Sequence, residues 1–402
     1  MRQVIKGKYI FDGEKLLDDK EIAVEDGVII ETGKGLKGDK IVDLGDSFIM
    51  PGMTDAHIHL SGYRSGNFFA EGLTLDSRDH LLMAVPWLKT LLDAGFTSVR
   101  DCGWENSIFL RNAVNNGVIV GPDISAAGKA LSQTFGHGEA EFSHTVPVDL
   151  IERMGGFACL CDGVDECIKT ARKVLRSGSD FIKIITTGGA LSQRDNPNQE
   201  QFTLEEIRSI VREAQKAGTY VAAHAHGDRG ARNAVEGGVK TLEHGTLVTG
   251  ETLKLMAKNG VSMTPTLTII ELIAKYGKVS GLSEWAIEKI KEVREGIEKV
   301  LPEAMKLGVN ILCGTDLLYI TGKELDIGRN WMEMVLMTEI CGLTNEEALR
   351  TSTGNIHKIG LKQGMIAKGF PANIISIDGN PIENIKDLGR VNSVFKRGVQ
   401  VK

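Results

Sequence analysis

Apolar residues in the first fifty positions come in short runs broken by turn formers. Val4–Ile5, Ile22–Val24 and Val28–Ile30 read as strands, with turns at Asp12-Gly13 and Asp26-Gly27. The tail, from about 360 to 402, has the same texture. Ile374-Ile375-Ser376-Ile377 leads into the turn Asp378-Gly379-Asn380-Pro381, and Val394–Lys396 precedes Arg397-Gly398. Two β-rich ends around one middle predict a single small β-domain built from residues 1–50 and 360–402.

The middle changes period. Phe181–Ile185 is a short apolar run. Thr203 then opens a helix with Glu206 three residues on, the pattern of a capping box. Ile207, Ile210, Val211 and Ala214 follow the helical period, and Gly218 ends it. Tyr220–Ala223, Val239–Leu242, Val261–Met263 and Val309–Leu312 read as strands. Ala231–Val235, Thr252–Ala257 and about 284 to 307 read as the helices between them. This alternation predicts parallel strands with crossover helices, an α/β fold, and residues 51–359 have room for eight such units.

Composition narrows the classes. The chain has 402 residues, 42% of them hydrophobic and 25% charged, enough to bury a sizeable core. Net charge is −6 and there is no basic stripe, which argues against a nucleic-acid partner. No apolar run reaches the roughly 18 residues that cross a bilayer, so no membrane partner is expected. The start, Met1-Arg2-Gln3-Val4, lacks a signal-peptide core, so a cytoplasmic location is expected. The six cysteines are scattered and predict no disulfide framework. Cys159, Cys161 and Cys167 lack paired CxxC knuckles, and Cys167 falls on an apolar helical face with Val164, Ile168, Ala171 and Val174; packing explains it.

Chemistry-bearing residues gather at predicted strand ends. His57-Ile58-His59 follows the apolar Phe48–Met50, and residues i and i+2 of a strand point the same way, so two imidazoles can grip one ion. Lys183 lies inside Phe181–Ile185. His224, with His226 at i+2, His244 and Asp316 close three further runs. Any one alone has a plain alternative: a solvated histidine, a snorkelling lysine or a helix cap. The ordered set outweighs those alternatives, because barrel enzymes place catalytic groups at the C-terminal ends of strands. Six of the nine histidines, His57, His59, His137, His224, His226 and His244, fall at such places.

The ordered set HxH, Lys, His, His, Asp resembles the amidohydrolase superfamily. So do Pro51-Gly52-Met53-Thr54-Asp55-Ala56-His57-Ile58-His59 and Gly364-Met365-Ile366-Ala367-Lys368-Gly369 with Ala372-Asn373, although family members carry Asp where Asn373 stands. The resemblance implies a (β/α)₈ TIM barrel with a small β-sandwich domain formed from both termini. It implies two divalent metal ions. His57, His59 and Asp316 would hold one, and His224 and His244 the other. Lys183, carboxylated on its amine, would bridge them. A histidine and oxygen donor set suits Zn²⁺, with Mn²⁺, Co²⁺ or Fe²⁺ as alternatives. The metals would activate water, and Asp316 would take its proton and pass it to the leaving nitrogen.

Thr97-Ser98-Val99-Arg100-Asp101, Gly136-His137-Gly138 and Lys183-Ile184-Ile185-Thr186-Thr187-Gly188-Gly189 resemble the branch holding Xaa-Pro and Xaa-Arg dipeptidases and N-acyl amino-acid hydrolases. In that light His137 and Arg229 are candidates for the substrate carboxylate, and His226 and Tyr63 for other substrate contacts, with Arg64 beside Tyr63. Arg100-Asp101 reads as an internal ion pair orienting the site. Phe68, Phe69, Leu267 and Ile269 are candidate apolar linings. The expected substrate is a dipeptide or N-acyl amino acid, and the resemblance suggests a homo-oligomer. Rival readings are a lactone or cyclic-amide hydrolase on the same site, and a barrel scaffold that has lost catalysis.

Overall fold

The computed structural model describes residues 1–65, 71, 74–139, 157–279, 282–319 and 325–402. Parallel strands and helices alternate through the middle, as the changing period predicts, so the fold is α/β. Met53–Ile58, Phe96–Asp101 and Asp123–Ala126 form one parallel sheet. A second parallel sheet runs in the order Ala158–Leu160, Ala130–Ser132, Ile182–Ile185, Val221–Gly227, Thr241–Leu247 and Ser262–Thr264. These strands are buried along nearly their whole length, on both faces of the sheet.

The helix Leu204–Lys216 starts where its cap predicts: the Thr203 hydroxyl accepts from the Glu206 amide, and the Glu206 carboxylate accepts from the Thr203 amide. Ile207, Ile210, Val211 and Ala214 are its buried stripe. The expected strand Val309–Leu312 is instead a single parallel bridge between Ile311 and Met263. Its backbone divides its partners. Leu312 N donates to Met263 O at 2.8 Å, Cys313 N to Thr351 O at 2.9 Å, and Ala56 N to Cys313 O at 2.7 Å. The segment thereby ties the second sheet to the first.

Both ends of the chain share one mixed sheet, in the order Val399–Gln400, Val391–Lys396, Ile374–Ile377, Phe48–Pro51, Tyr9–Phe11 and Leu16–Leu17. Arg2–Lys6, Glu21–Glu25, Val28–Gly33 and Lys40–Asp43 make a four-stranded sheet. Strand alternation gives the mixed sheet two apolar faces. Ile49 and Ile374 join Ile5, Ile22 and Ile29 in a small cluster shared with the four-stranded sheet, while Phe48, Met50 and Ile375 enter the main core. Asn373 donates its amide to Asp123 Oδ2 at 3.2 Å and to Gln363 Oε1 at 3.0 Å. A carboxylate there would oppose Asp123, so the amide suits its neighbours.

Candidate metal centre

The strand ends converge. His57 leaves Met53–Ile58 with its Nδ1 donating to Glu243 Oε2 at 2.8 Å. Its Nε2 lies 3.3 Å from Asp316 Oδ1, and His59 Nε2 lies 2.9 Å from the same oxygen. Behind them Asp55 is wholly buried and accepts from His57 N, Thr315 N, Thr315 Oγ1 and Asn330 Nδ2, at 3.1, 3.1, 2.7 and 2.7 Å. That anchors the Asp316 loop to the histidine strand. His244 and Asp316 both take left-handed backbone, with φ of 71° and 56°. Such values are uncommon for residues other than glycine, and they cluster at functional sites.

Rings run in a row across the centre. Centroid separations are 5.4 Å for Phe157–His59, 5.3 Å for His59–His57 and 5.1 Å for His57–His244. They are 4.6 Å for both His244–His224 and His224–His137. His226 flanks the row, stacked on His244 at 4.8 Å. Threonines hold two of these rings: His226 Nδ1 lies 2.9 Å from Thr246 Oγ1, and His244 Nδ1 lies 2.7 Å from Thr266 Oγ1. His57, His244 and Asp316 bring their ligand atoms within 4.8 Å of one another, and so do His224, His226 and His244.

The donor set fits cations. With Nδ1–H given to Glu243, a neutral His57 turns a lone pair towards a carboxylate oxygen, and two facing acceptors need a proton or a cation between them. In the metal-free state the proton supplies it. Burial pulls His57 down, yet Cys102 and Asp316 hold its pKa well above 6.5. Burial favours a neutral Asp316, but His57 and His59 hold its carboxyl well below the usual range. His224 and His244 behave differently. Burial, and after it the neighbouring imidazoles and Lys183, hold both well below 6.5. They are neutral near pH 7 and offer lone pairs. His59 Nδ1 is buried with no partner among the described residues. Lys183 is 1% exposed, in the middle of the buried strand Ile182–Ile185. A buried bare ammonium is costly, whereas an anionic oxygen donor at that place would complete the set.

The remaining candidates separate. His137 stands beside His224, with its Nδ1 2.7 Å from Ser192 Oγ. Tyr63 is buried, 5.5 Å from the Trp104 ring, and bridges to Tyr319. Arg229 faces outward, its side chain 83% exposed and paired with Glu200 at 3.1 Å. Arg64 is exposed beside Glu71. Leu267 and Ile269 lie in the main apolar core; Phe68 and Phe69 lie outside the described residues.

Arg100 does not pair with Asp101. Consecutive strand residues point to opposite faces, so Arg100 Nη2 reaches Glu243 Oε1 at 2.6 Å, while Asp101 accepts from Leu60 N and Gly103 N at 2.6 and 3.0 Å. Glu243, Trp104 and Phe157 are residues that sequence reasoning missed. Two of them carried a signal: Glu243 is a carboxylate inside the strand Thr241–Leu247, and Trp104 follows the strand end at Asp101.

Over residues 48–401 the chain matches the amidohydrolase family along most of its length. The chain belongs to the amidohydrolase family. Membership carries the expected class, a hydrolase acting on amide carbon–nitrogen bonds. This amidohydrolase is 32% identical to the ochratoxinase of Aspergillus niger over 374 residues, 87% of this chain and 75% of the relative. It is similar to a prolidase solved in complex with N-methylphosphonate-L-proline, with TM-score 0.92, 32% identity and 100% of both chains covered. It is also similar to a Xaa-Pro dipeptidase with methionine bound in its active site, with TM-score 0.89, 30% identity and 100% of both chains covered.

Proposed function

We propose that this amidohydrolase is a binuclear metal-dependent enzyme that cleaves the amide bond of a dipeptide ending in proline or an apolar residue, or of an N-acyl amino acid. One observation carries the reading: His57 Nε2 and His59 Nε2 converge on one Asp316 oxygen, beside the neutral pair His224 and His244 and the buried Lys183. His57, His59 and Asp316 would hold one ion, His224 and His244 the second, and a carboxylated Lys183 both. Divalent ions, most simply Zn²⁺, would supply Lewis acidity, lowering the pKa of water and polarising a carbonyl.

The chain's own groups do the rest. Glu243 fixes the His57 tautomer through Nδ1 and leaves Nε2 for the site. The Asp316 carboxylate takes a proton from water and gives it to the leaving nitrogen. His137 meets the substrate's carboxylate. Its Nδ1 leans on Ser192, which donates to Asp195, so the ring is held from behind, while burial lowers its pKa from 6.5 in the free chain. His226 and Tyr63 flank the bound molecule, and Arg229, turned outward, has the smaller part. Relatives whose structures hold a proline phosphonate and methionine support a small amino-acid-like ligand.

We also propose that residues 51–359 close into a (β/α)₈ barrel, with 1–50 and 360–402 as a β-sandwich domain. The Ile311–Met263 bridge, the Ala56–Cys313 hydrogen bond and the apolar cluster shared by the two terminal sheets support it.

The test is a screen of metal-loaded protein against Xaa-Pro dipeptides, other dipeptides and N-acyl amino acids, with Lys183→Ala and Asp316→Ala as controls and metal content measured by mass spectrometry. The expected outcome is two ions per chain and hydrolysis lost in both variants. Two bound ions with no amide cleaved would overturn the reading in favour of lactones or cyclic amides.

A further inference from the structure

At the His59 end of the row the side chains change character. Trp104 and Phe157 both lie edge-on to His59, at 5.6 and 5.4 Å, and 5.2 Å from each other. Tyr63 closes a third side, 5.5 Å from Trp104, and is itself packed at a tilt on His80 at 4.2 Å. Trp104 and Phe157 keep part of their surface exposed, unlike the core aromatics Phe96 and Phe181.

Two backbone features hold this arrangement. A Cβ at Gly103 would meet Phe157 Cε2 at 2.1 Å and His59 Cε1 at 3.2 Å, so only glycine lets the phenyl ring reach His59. Trp104 has φ of 84°, a conformation that disfavours a bulky residue. Packing alone would not select it. It turns the indole to the metal-ligand side of the loop, against His59, whose Nε2 lies 2.9 Å from the Asp316 carboxylate.

We propose that Trp104, Phe157 and Tyr63 form the acyl-side specificity pocket, and that it takes a flat, apolar, aromatic acyl group on the carbonyl side of the scissile bond. The proposal rests on the amide-hydrolase reading. It assigns the occupant from the asymmetry of the row. The opposite end presents His137 backed by Ser192, Asp195 and Lys289, which suits the carboxylate half of an N-acyl amino acid. An amide laid between them places its acyl half against the rings. Aromatic partners there gain edge and stacking contacts beyond burial. A short or polar acyl group leaves the indole face wet.

The experiment holds the leaving amino acid constant and varies the acyl group: acetyl, benzoyl and 2-naphthoyl, measured as kcat/KM on the metal-loaded chain. Binding of 2-naphthoate and of acetate is measured by calorimetry alongside. The expected naphthoyl-to-acetyl ratio is on the order of tenfold or more, carried by KM. Trp104→Ala collapses that ratio and Trp104→Phe retains most of it. Equal kcat/KM across the wild-type series, or a ratio that survives Trp104→Ala, overturns the pocket. If no N-acyl amino acid is cleaved, the amide reading fails separately. Naphthoate binding that disappears in Trp104→Ala then upholds the pocket, and absence of naphthoate binding overturns it.

Discussion

At one end of the histidine row Gly103 lets the Phe157 ring lie against the backbone; at the other Gly189 does the same for His137, where a Cβ would meet the imidazole at 2.2 Å. The device is shared and the chemistry is opposite. The first end is made of rings with few polar atoms. The second is a polar lattice. Lys289 donates to Gly189 O at 3.2 Å and Ser192 O at 2.6 Å, and Asp195 Oδ2 accepts from Gly189 N at 3.2 Å. The middle, where the lone pairs gather, is common to both. An amide has the same asymmetry: an acyl half without charge and, in an amino-acid substrate, a leaving half with a carboxylate. The comparison therefore separates which residues govern all substrates from which govern only one half.

The largest effect tests the shared middle. Asp316→Asn keeps the shape and removes the proton acceptor, so hydrolysis should fall by about 10²–10⁴-fold for every substrate. Steady-state rates across the acyl series check this, and the ratio between acyl groups should stay put. A ratio that moves with Asp316 would mean that the ends and the middle do not act separately.

Next in size is Glu243→Gln. It removes the carboxylate that neutralises wholly buried Arg100 and orients His57. Breaking a buried ion pair from one side costs about 3–5 kcal/mol of stability. Loss of a ligand's orienting partner costs about 10–100-fold in metal affinity. Denaturant unfolding and competition with a chelator measure the two effects. Affinity unchanged in a destabilised variant would limit Glu243 to a folding role.

The Glu243 contact also shows where sequence reading stops. The convergence of His57, His59, His224, His244 and Asp316 was legible because strand period and strand ends are local properties, repeated along the chain. The helix at Thr203 was legible for the same reason. Arg100 finds Glu243 across 143 residues, and no local pattern specifies that partner. Alternation alone already placed Arg100 and Asp101 on opposite faces. Trp104 was missed because its left-handed backbone is unmarked by glycine, and Phe157 because ring packing on His59 is tertiary. The expected strand Val309–Leu312 shortened to a bridge because its hydrogen bonds are shared among three neighbours.

A smaller effect sharpens the polar end. His137→Ala removes a hydrogen bond to a charged group, a contribution of about 1.5–3 kcal/mol, or on the order of 10–100-fold in kcat/KM. The loss should fall on KM, and only for substrates with a free carboxylate; the carboxamide analogues should lose far less. Combined with Trp104→Ala, the two losses should add within about 0.5 kcal/mol if the ends are independent. Equal losses for acid and amide substrates would remove His137 from carboxylate recognition.

The smallest effect concerns pH, and it also divides the molecule by end. At the aromatic end burial, and after it Glu71, pushes Tyr63 from 10.0 up to about 12. The folded state therefore keeps a proton that the unfolded chain releases. That contribution is fully present below pH 10 and is lost as pH rises through about 12. At the polar end burial, and after it His137, takes His226 from 6.5 down to about 3. Here the unfolded chain binds the extra proton, so stability is present above pH 6.5 and is lost as pH falls towards about 3. Between those windows neither Tyr63 nor His226 titrates. Unfolding of the metal-free protein in pH steps checks this. Tyr63→Phe should flatten the alkaline loss alone, and His226→Asn the acidic loss alone. A Tyr63→Phe variant that loses stability as steeply as the parent above pH 10 would show that the phenol is not what titrates there.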